Sequence, residues 1–593
     1  MKKYILSLCF LFGTVAAPHS LSGISSATAT TQIEIKNAYK GMFTIVTYNS
    51  EGTLLHSGNG FFIDERGTGI AAFSLFEGAA KAEVIDYKGN QLPVSRILGA
   101  SSVYDLVKFN TLSAKKIESF DIATDPLMDT GTPLQLVKYT GKKKTQPLMI
   151  NIDQADDFEQ YKYLQVNAPN SAANMGCPLL DAIGKVVAIV QKNVDSKAEK
   201  ACAIDARFVN EINISATGLL NADLRAIDIP KALPEGEKEA ITFLYMMGYK
   251  DSVAAINGAN DFIERYPDNA EGYINRGSFY ANKHQYALCE NDFFTALEKA
   301  DNEKSKIKAD EVHNSLSKLI YNKVLYTPQP AYENWTLDRA IEEAGKAFAI
   351  KPSPFYLLQQ GHCYFGKKDY KSAYNNYYDI CTKTFLGTKE WSAQAKVEAW
   401  LYATRAYELN MQTAETPATL EDSLHIIALL DSAINDIPKP YAPASARIFL
   451  ERAQRLEKVN EYRKAALDYV EYEKIIGPKN LNDKFYYLRE QAEIKCRMYQ
   501  QALDDIRTAM AFNPKDSFYP VEEAVVLLQA GLYPEAIGAC EKSLKMLPEN
   551  PDCYKIMGIA YGELKNKKKA IEALTKAKSL GDPTVDTFIQ KYK

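Results

Sequence analysis

The chain is poor in the side chains on which much enzyme chemistry depends. Its 593 residues include only six histidines, nine cysteines and three tryptophans. Nine cysteines scattered over a chain of this length do not form a disulfide scaffold. After the N-terminus, no run reaches the roughly 18 uninterrupted apolar residues that a membrane-spanning helix needs. The formal net charge of -4 argues against a nucleic acid or an anionic membrane held by bulk electrostatics.

Motifs for cofactors and metals are also missing from the sequence. We find no glycine-rich loop that could cradle a phosphate, no HExxH and no paired CxxC with metal-ligand spacing. The sequence therefore predicts no cofactor and no metal.

The N-terminus has the pattern of an export signal. Lys2 and Lys3 precede the apolar run "YILSLCFLFGTVAA", and "ATA" ends at Ala29 as a small-x-small cleavage site. We predict a signal peptide over residues 1–29 and export without a membrane anchor. Leucine precedes Cys9 where a lipoprotein signal requires a small residue, which argues against lipidation. The periplasm is the expected location, and secretion is the alternative.

The rest of the chain has two different sequence patterns, one typical of strands and one typical of helices. Residues 32–215 contain short alternating or apolar runs such as "MFTIVTY", "AEVIDY" and "KVVAIV", separated by Gly, Asn and Asp. Many closely spaced strands of this kind predict a sandwich or a barrel. Helical periodicity rich in Ala, Tyr, Leu, Glu and Lys begins at about residue 235. We predict a β domain over 32–215, a linker over 216–234 and a helical domain over 235–593.

The helical part repeats. Three alanines, Ala502, Ala536 and Ala570, are each 34 residues apart, and a lattice of aromatic and small residues recurs around them. This spacing resembles the tetratricopeptide repeat. The resemblance implies a superhelical solenoid of eight or nine helical hairpins with a concave surface for a protein or peptide. The final unit carries this lattice at Tyr554, Gly558, Tyr561, Ala570, Leu574 and Ala577.

The β-rich part has a second resemblance. The segments "GNGFFIDERGTGIAAFSLFEGA", "YDLVKF" and "ANMGCPLLDAIGKVVAIV" resemble the active-site segments of trypsin-like serine proteases of the HtrA type. The resemblance implies an all-β double barrel. It matches Ser74 to the catalytic histidine, Asp105 to the aspartate and Met175 to the serine nucleophile. The oxyanion loop matches Ala173, Asn174, Gly176 and Cys177.

These replacements remove the proteolytic chemistry. A serine-protease site needs a hydroxyl nucleophile, an imidazole base and a carboxylate that orients the imidazole. Met175 has no proton to lose, and Ser74 is not a base near neutral pH. His56, the one histidine between Ala29 and the repeats, lies eighteen residues before Ser74. A hydroxyl such as Ser171 would need His56 or a group from elsewhere as its base.

Two cysteines of the β-rich part are of separate interest. Cys177 and Cys202 lie in a chain that we expect to be exported, where disulfides form. The sequence leaves open whether they form a disulfide or remain two free thiols.

The predicted function is an exported, non-catalytic binding or scaffold protein. Its partner would be a protein or peptide, bound by the concave repeat surface and by the cleft of the barrels. One version of this prediction gives the barrels a purely structural role, as a cap on the first helical repeat. The alternative is an active trypsin-like peptidase with a non-standard site.

Overall fold

A computed structural model describes residues 37–113, 115–139, 146–191, 193, 195, 197–302, 305–385, 391–414 and 417–593. The predicted signal peptide, residues 1–29, lies outside this range. The chain divides into two compact units, one ending at Lys308 and the other running from Ala309 to Lys593. Within the described residues, no helix combines the length and apolar character needed to cross a membrane.

Two closed antiparallel β-barrels form the start of the first unit. The strand order is β1-β2-β3-β6-β5-β4 in the first barrel and β10-β11-β12-β9-β8-β7 in the second. The first barrel contains β1 (Met42–Tyr48), β2 (Leu54–Phe62), β3 (Thr68–Ala71), β4 (Lys81–Asp86), β5 (Gln91–Ser101) and β6 (Leu106–Thr111). The second contains β7 (Pro133–Leu136), β8 (Leu148–Phe158), β9 (Tyr161–Pro169), β10 (Pro178–Leu180), β11 (Val186–Gln191) and β12 (Lys200–Asp205).

Strand alternation explains how the two barrels join. Side chains of neighbouring residues point to opposite faces of a strand. In β1, Phe43 enters the core of the first barrel, and its neighbour Met42 packs with the second barrel. In β2, Phe62 likewise enters the core of the first barrel, and its neighbour Phe61 packs with the second barrel. One residue of each neighbouring pair therefore fills the core of the first barrel, and the other fills the apolar boundary between the two barrels.

The segment after the second barrel lies along the first barrel. The N–H of Ile97 in β5 donates to the carbonyl of Pro230 at 2.8 Å, and the N–H of Ala232 donates to Ile97 at 2.8 Å. Five helices of the first unit belong to this region or follow it, and Phe243 and Phe262 from two of them join the core of the first barrel. These helices are α1 (Ala222–Arg225), α2 (Glu237–Lys250), α3 (Ser252–Arg265), α4 (Ala270–Asn282) and α5 (Tyr286–Ala300).

In the residues that the structure describes, the regular structure of the second unit is entirely helical. Its helices are α6 (Ala309–Tyr326), α7 (Leu337–Ile350), α8 (Pro354–Gly366), α9 (Tyr370–Thr382), α10 (Ala393–Thr413), α11 (Leu420–Asp436), α12 (Ala446–Lys458), α13 (Tyr462–Ile476), α14 (Asp483–Lys495), α15 (Tyr499–Phe512), α16 (Phe518–Gln529), α17 (Tyr533–Met546), α18 (Pro551–Glu563), α19 (Lys567–Ser579) and α20 (Asp586–Tyr592). The predicted fold class, two β-barrels followed by an all-α array of helices, is confirmed.

Small residues set the close approach of paired helices. The alanines at 502, 536 and 570 are fully buried. A Cβ atom added to Gly558 in α18 would lie 2.5 Å from the Leu574 side chain in α19, and one added to Gly361 would lie 2.6 Å from Tyr377. Larger side chains would separate the helices, because interiors are packed too densely to absorb them.

Candidate functional site

Ser74 lies in a single 3-10 turn, Phe73–Leu75, which follows β3. Phe73 and Phe76 are buried in the core of the first barrel and anchor the turn from both sides. The N–H of Phe76 donates to the carbonyl of Phe73 at 2.8 Å. Ser74 is exposed between these two anchors. The turn therefore presents the side chain at position 74 to the surface of the barrel.

Asp105 faces this turn from the loop before β6. Its carboxylate accepts the backbone N–H of Ser74 at 2.8 Å and the Ser74 hydroxyl at 3.4 Å. Burial raises the pKa of Asp105, and the hydrogen bonds from Ser74 and Phe73 offset part of that rise. In a working triad this carboxylate would orient an imidazole. Here it is bonded to a backbone amide and a hydroxyl.

Met175 lies in a tight turn between β9 and β10. The N–H of Met175 donates to the carbonyl of Ala172 at 3.3 Å, and that of Asn174 donates to Ser171 at 2.9 Å. An oxyanion hole needs N–H groups that point to the place where charge develops on the substrate. The N–H of Met175 instead donates to a carbonyl of its own turn, that of Ala172.

Gly176 fixes this turn against the first barrel. Its φ is +73°, and a Cβ atom at this position would lie 2.4 Å from the Asn59 carbonyl oxygen and 4.0 Å from the Ala72 nitrogen. The Asn59 side chain donates to the carbonyl of Ala173 at 3.0 Å. The loop of the second barrel therefore lies within two residues of Ser74. The structure brings the loops of all three triad-matched positions to one boundary between the barrels.

Tyr104 and Gln191 hold the Asp105 loop, and neither was singled out from the sequence. The Tyr104 ring stacks on Phe208 with centroids 4.3 Å apart, and its hydroxyl donates to Glu159 at 2.5 Å. The Gln191 side chain donates to the Tyr104 carbonyl. Because Asp105 has a φ of +48°, its loop depends on such anchors to keep a strained conformation. The one available signal is that Tyr104 directly precedes Asp105 in "YDLVKF".

Cys177 and Cys202 are both buried and both free thiols. Cys177 belongs to the core that the second barrel shares with the first. Burial raises the pKa of Cys177 to about 12. A thiol with so high a pKa is not a nucleophile near neutral pH, because the thiolate is the reactive form.

The remaining candidates of the β-rich part are not assembled into a site. His56 lies exposed in β2, and Ser171 is exposed before the Met175 turn. No hydrogen bond joins His56 to Ser171 or to Asp105 within the described residues. In the same residues, no group of three or more His, Cys, Asp or Glu side chains is arranged to hold a metal ion.

The second unit has a groove between α16 and α18. It has a volume of about 520 Å³ and combines apolar side chains, including Phe518 and Val525, with the charged side chains Glu522, Asp552 and Lys555. Phe518 is 41% exposed although it is aromatic. Lys555 forms an ion pair with Asp582 at 3.1 Å. The groove therefore offers mainly apolar contacts, with its lysine already paired.

No protein-family model matches the chain, and no curated protein matches it.

Proposed function

We propose that the protein is a non-catalytic binding or scaffold protein, in which a degenerate trypsin-like domain of the HtrA type precedes tetratricopeptide repeats. The observation that carries the proposal is the Asp105 carboxylate bonded to Ser74 beside a turn that contains Met175. The arrangement has the carboxylate of a triad, without the imidazole and the hydroxyl nucleophile.

Chemistry supports the non-catalytic assignment. A thioether cannot form an acyl-enzyme, and a serine hydroxyl with no tuned pKa cannot take a proton from a nucleophile near pH 7. Loss of one triad member already reduces a serine protease to the remnant of activity that binding supplies. With two members replaced and the Met175 amide used within its turn, hydrolysis lacks its chemical groups.

The helical region supports a role in binding a protein or peptide. Stacked helical hairpins recognise extended or helical segments through the helices that line their groove. The apolar groove between α16 and α18 is the strongest candidate for such contacts, because it combines exposed Phe518 with half-buried Val525. Since Lys555 is paired with Asp582, we do not assign a C-terminal carboxylate as the ligand.

A structural role for the barrels is favoured by a second observation. Phe43 and Phe62 of the first barrel share a core with Phe243 of α2 and Phe262 of α3. The end of a helical repeat array needs a cap, because the outermost repeat otherwise exposes its apolar face. In this version of the proposal the first barrel covers the α2–α3 hairpin. We further propose export to the periplasm, on the N-terminal sequence pattern alone.

A fluorophosphonate probe tests the central proposal. We expect no covalent adduct on the purified mature protein and no cleavage of general peptide substrates. The matched variants are Met175→Ser, Ser74→His and the double substitution, which supply the missing groups one at a time and together. An adduct on the unsubstituted protein that maps to a serine within residues 37–215 would make the protein a peptidase and overturn the proposal.

A further inference from the structure

A cavity of about 410 Å³ lies in the first compact unit, and none of its lining residues belongs to the Ser74 or Met175 turns. Its walls come from residues 219–231, which follow the barrels, and from the α2–α3 hairpin. Leu224, Ile227 and Ile229 form an apolar floor, and all three are buried. A concave apolar site of this volume with a few polar groups is typical of sites for small ligands.

Lys231 is a partly buried charged residue that lines this cavity. Its ammonium group donates to the carbonyl of Ile229 at 2.7 Å and also to that of Ile227. Its backbone is fixed by a parallel bridge to Ile97 in β5. Burial lowers the pKa of Lys231 to about 8, although the charge of Asp228 raises it in part. Within the described residues, no carboxylate forms an ion pair with Lys231.

The other charged side chains of the cavity leave an excess of positive charge. Arg225 and Lys250 are exposed on the rim. Arg96 also lines the cavity, but it forms an ion pair with Asp261. Asp251 accepts the N–H groups of the first turn of α3. Two lining carboxylates, Asp228 and Asp251, then stand against Lys231, Arg225 and Lys250, none of which forms an ion pair among the described residues, so one positive charge is in excess.

We propose that this cavity binds a small organic acid, with its carboxylate against Lys231 and its alkyl chain on the apolar floor. An ammonium has three donors, and carbonyls take two of them, which leaves one donor for an oxygen of the ligand. A carboxylate there would supply a counter-charge for this partly buried cation. The single free donor and the modest excess of charge suit a monoanion. This site is independent of the function proposed above.

Calorimetric titration of the full mature protein with octanoate tests the proposal. We expect one site per chain, and we expect octan-1-ol, which has the same chain without the charge, to bind more weakly. Lys231→Met keeps the length of the side chain and should weaken octanoate by about tenfold or more, since hydrogen bonds to charged groups are the strong ones. Lys283→Met, which removes an exposed lysine elsewhere in the same unit, should leave the affinity unchanged.

A second variant keeps the test decisive if Lys231→Met does not fold. Ala254 lines the cavity from α3, so Ala254→Phe should fill it and abolish octanoate binding while every cation is retained. Circular dichroism would check that each variant is folded. Absence of octanoate binding to the unsubstituted protein would overturn the proposal. Equal affinity in folded Lys231→Met, or in folded Ala254→Phe, would do the same.

Discussion

The backbone N–H of Ser74 donates to the carboxylate of Asp105 at 2.8 Å. This bond holds the Asp105 carboxylate against residue 74, and no histidine among the described residues is bonded to that carboxylate. The carboxylate is partly buried, which raises its pKa, so the Ser74 amide is an important source of its stabilisation. The pair therefore has a structural use that does not depend on catalysis.

Removal of this carboxylate should loosen the Ser74 turn. In Asp105→Ala we expect amide exchange over Phe73–Phe76 to accelerate by about tenfold, because the lost bond involves a charged acceptor. Hydrogen-exchange mass spectrometry of the full chain measures it. Asp86→Ala removes a similar bond, which the Lys88 N–H donates to the Asp86 carboxylate in another turn of the same barrel, and serves as the control. Equal exchange in Asp105→Ala and the unsubstituted protein would contradict a positioning role for the bond.

Gly176 should be irreplaceable for two separable reasons. Gly176→Ala combines a positive φ with a Cβ only 2.4 Å from the Asn59 oxygen. Gly131→Ala has a φ of +88° and nothing within 4 Å, so it isolates the backbone cost of about 1–2 kcal/mol. We expect Gly176→Ala to cost on the order of 3 kcal/mol or more in the local opening free energy of β10. Hydrogen exchange at the Leu179 and Leu180 amides measures the cost of Gly176→Ala, and exchange at the Thr132 amide measures that of Gly131→Ala. Equal costs would show that the Asn59 contact is relaxed without effect.

The second unit should lose stability as the pH rises. Burial raises the pKa of Glu490 to about 8, from an ordinary value of 4.5, and burial also raises the pKa of Glu493. A carboxyl group with a raised folded-state pKa favours the folded state fully below its unfolded pKa, and this stabilisation is lost as the pH rises through about 8. We expect the melting temperature to fall by on the order of 5 °C between pH 5 and pH 9.

Tryptophan fluorescence reports this transition, because Trp335, Trp391 and Trp400 all lie in the second unit. Glu490→Gln should reduce the fall in melting temperature between pH 5 and pH 9. Glu563→Gln is the control, since bonds from Lys591 and Tyr592 lower the pKa of Glu563 and give it the opposite dependence. A melting temperature that rises from pH 5 to pH 9 would show that Glu490 is not buried as a neutral acid.

Arg489 should be among the least tolerant positions of the helices. It donates to both oxygens of Asp505 at 2.5 and 2.6 Å and to Glu473 at 2.7 Å, and it is 7% exposed. Arg489→Met leaves Asp505 buried without its partner, which should cost about 3–5 kcal/mol in the free energy of unfolding. Arg489→Lys should recover only part of this loss, because lysine lacks the planar fork.

An exposed ion pair of the same unit provides the comparison. Lys578 and Asp586 are each about half exposed, so Lys578→Met should change the stability very little. Denaturant unfolding followed by tryptophan fluorescence measures both variants. Similar effects of Arg489→Met and Lys578→Met would show that the Asp505 site is hydrated.

Two bonding patterns like that of Arg489 occur elsewhere among the described residues. Arg452 donates to Asp468 and to Asp431, and Arg276 donates to Asp292 and to Asn260. In each case the arginine joins the second helix of its own hairpin to a helix of the preceding one. The sequence did not reveal these links, because arginine and aspartate on a helix usually indicate a solvated face.

The sequence by itself determined the fold class, because its signals are local. Alternation in runs such as "MFTIVTY" specifies strands, and the alanines at 502, 536 and 570 mark where paired helices touch. The matching of Ser74 to a histidine and of Met175 to a serine rests on the sequence resemblance alone and remains a prediction.

Only the tertiary structure decided which distant residues meet. Asn59 and Gly176 lie more than a hundred positions apart, and their contact depends on how two barrels close and pack. Pro230 falls in a segment that the sequence marked as a linker, yet it bonds to Ile97 and helps to form the cavity around Lys231. No local pattern specifies such contacts, because they arise from packing the whole chain, and burial then sets the pKa of each ionisable group.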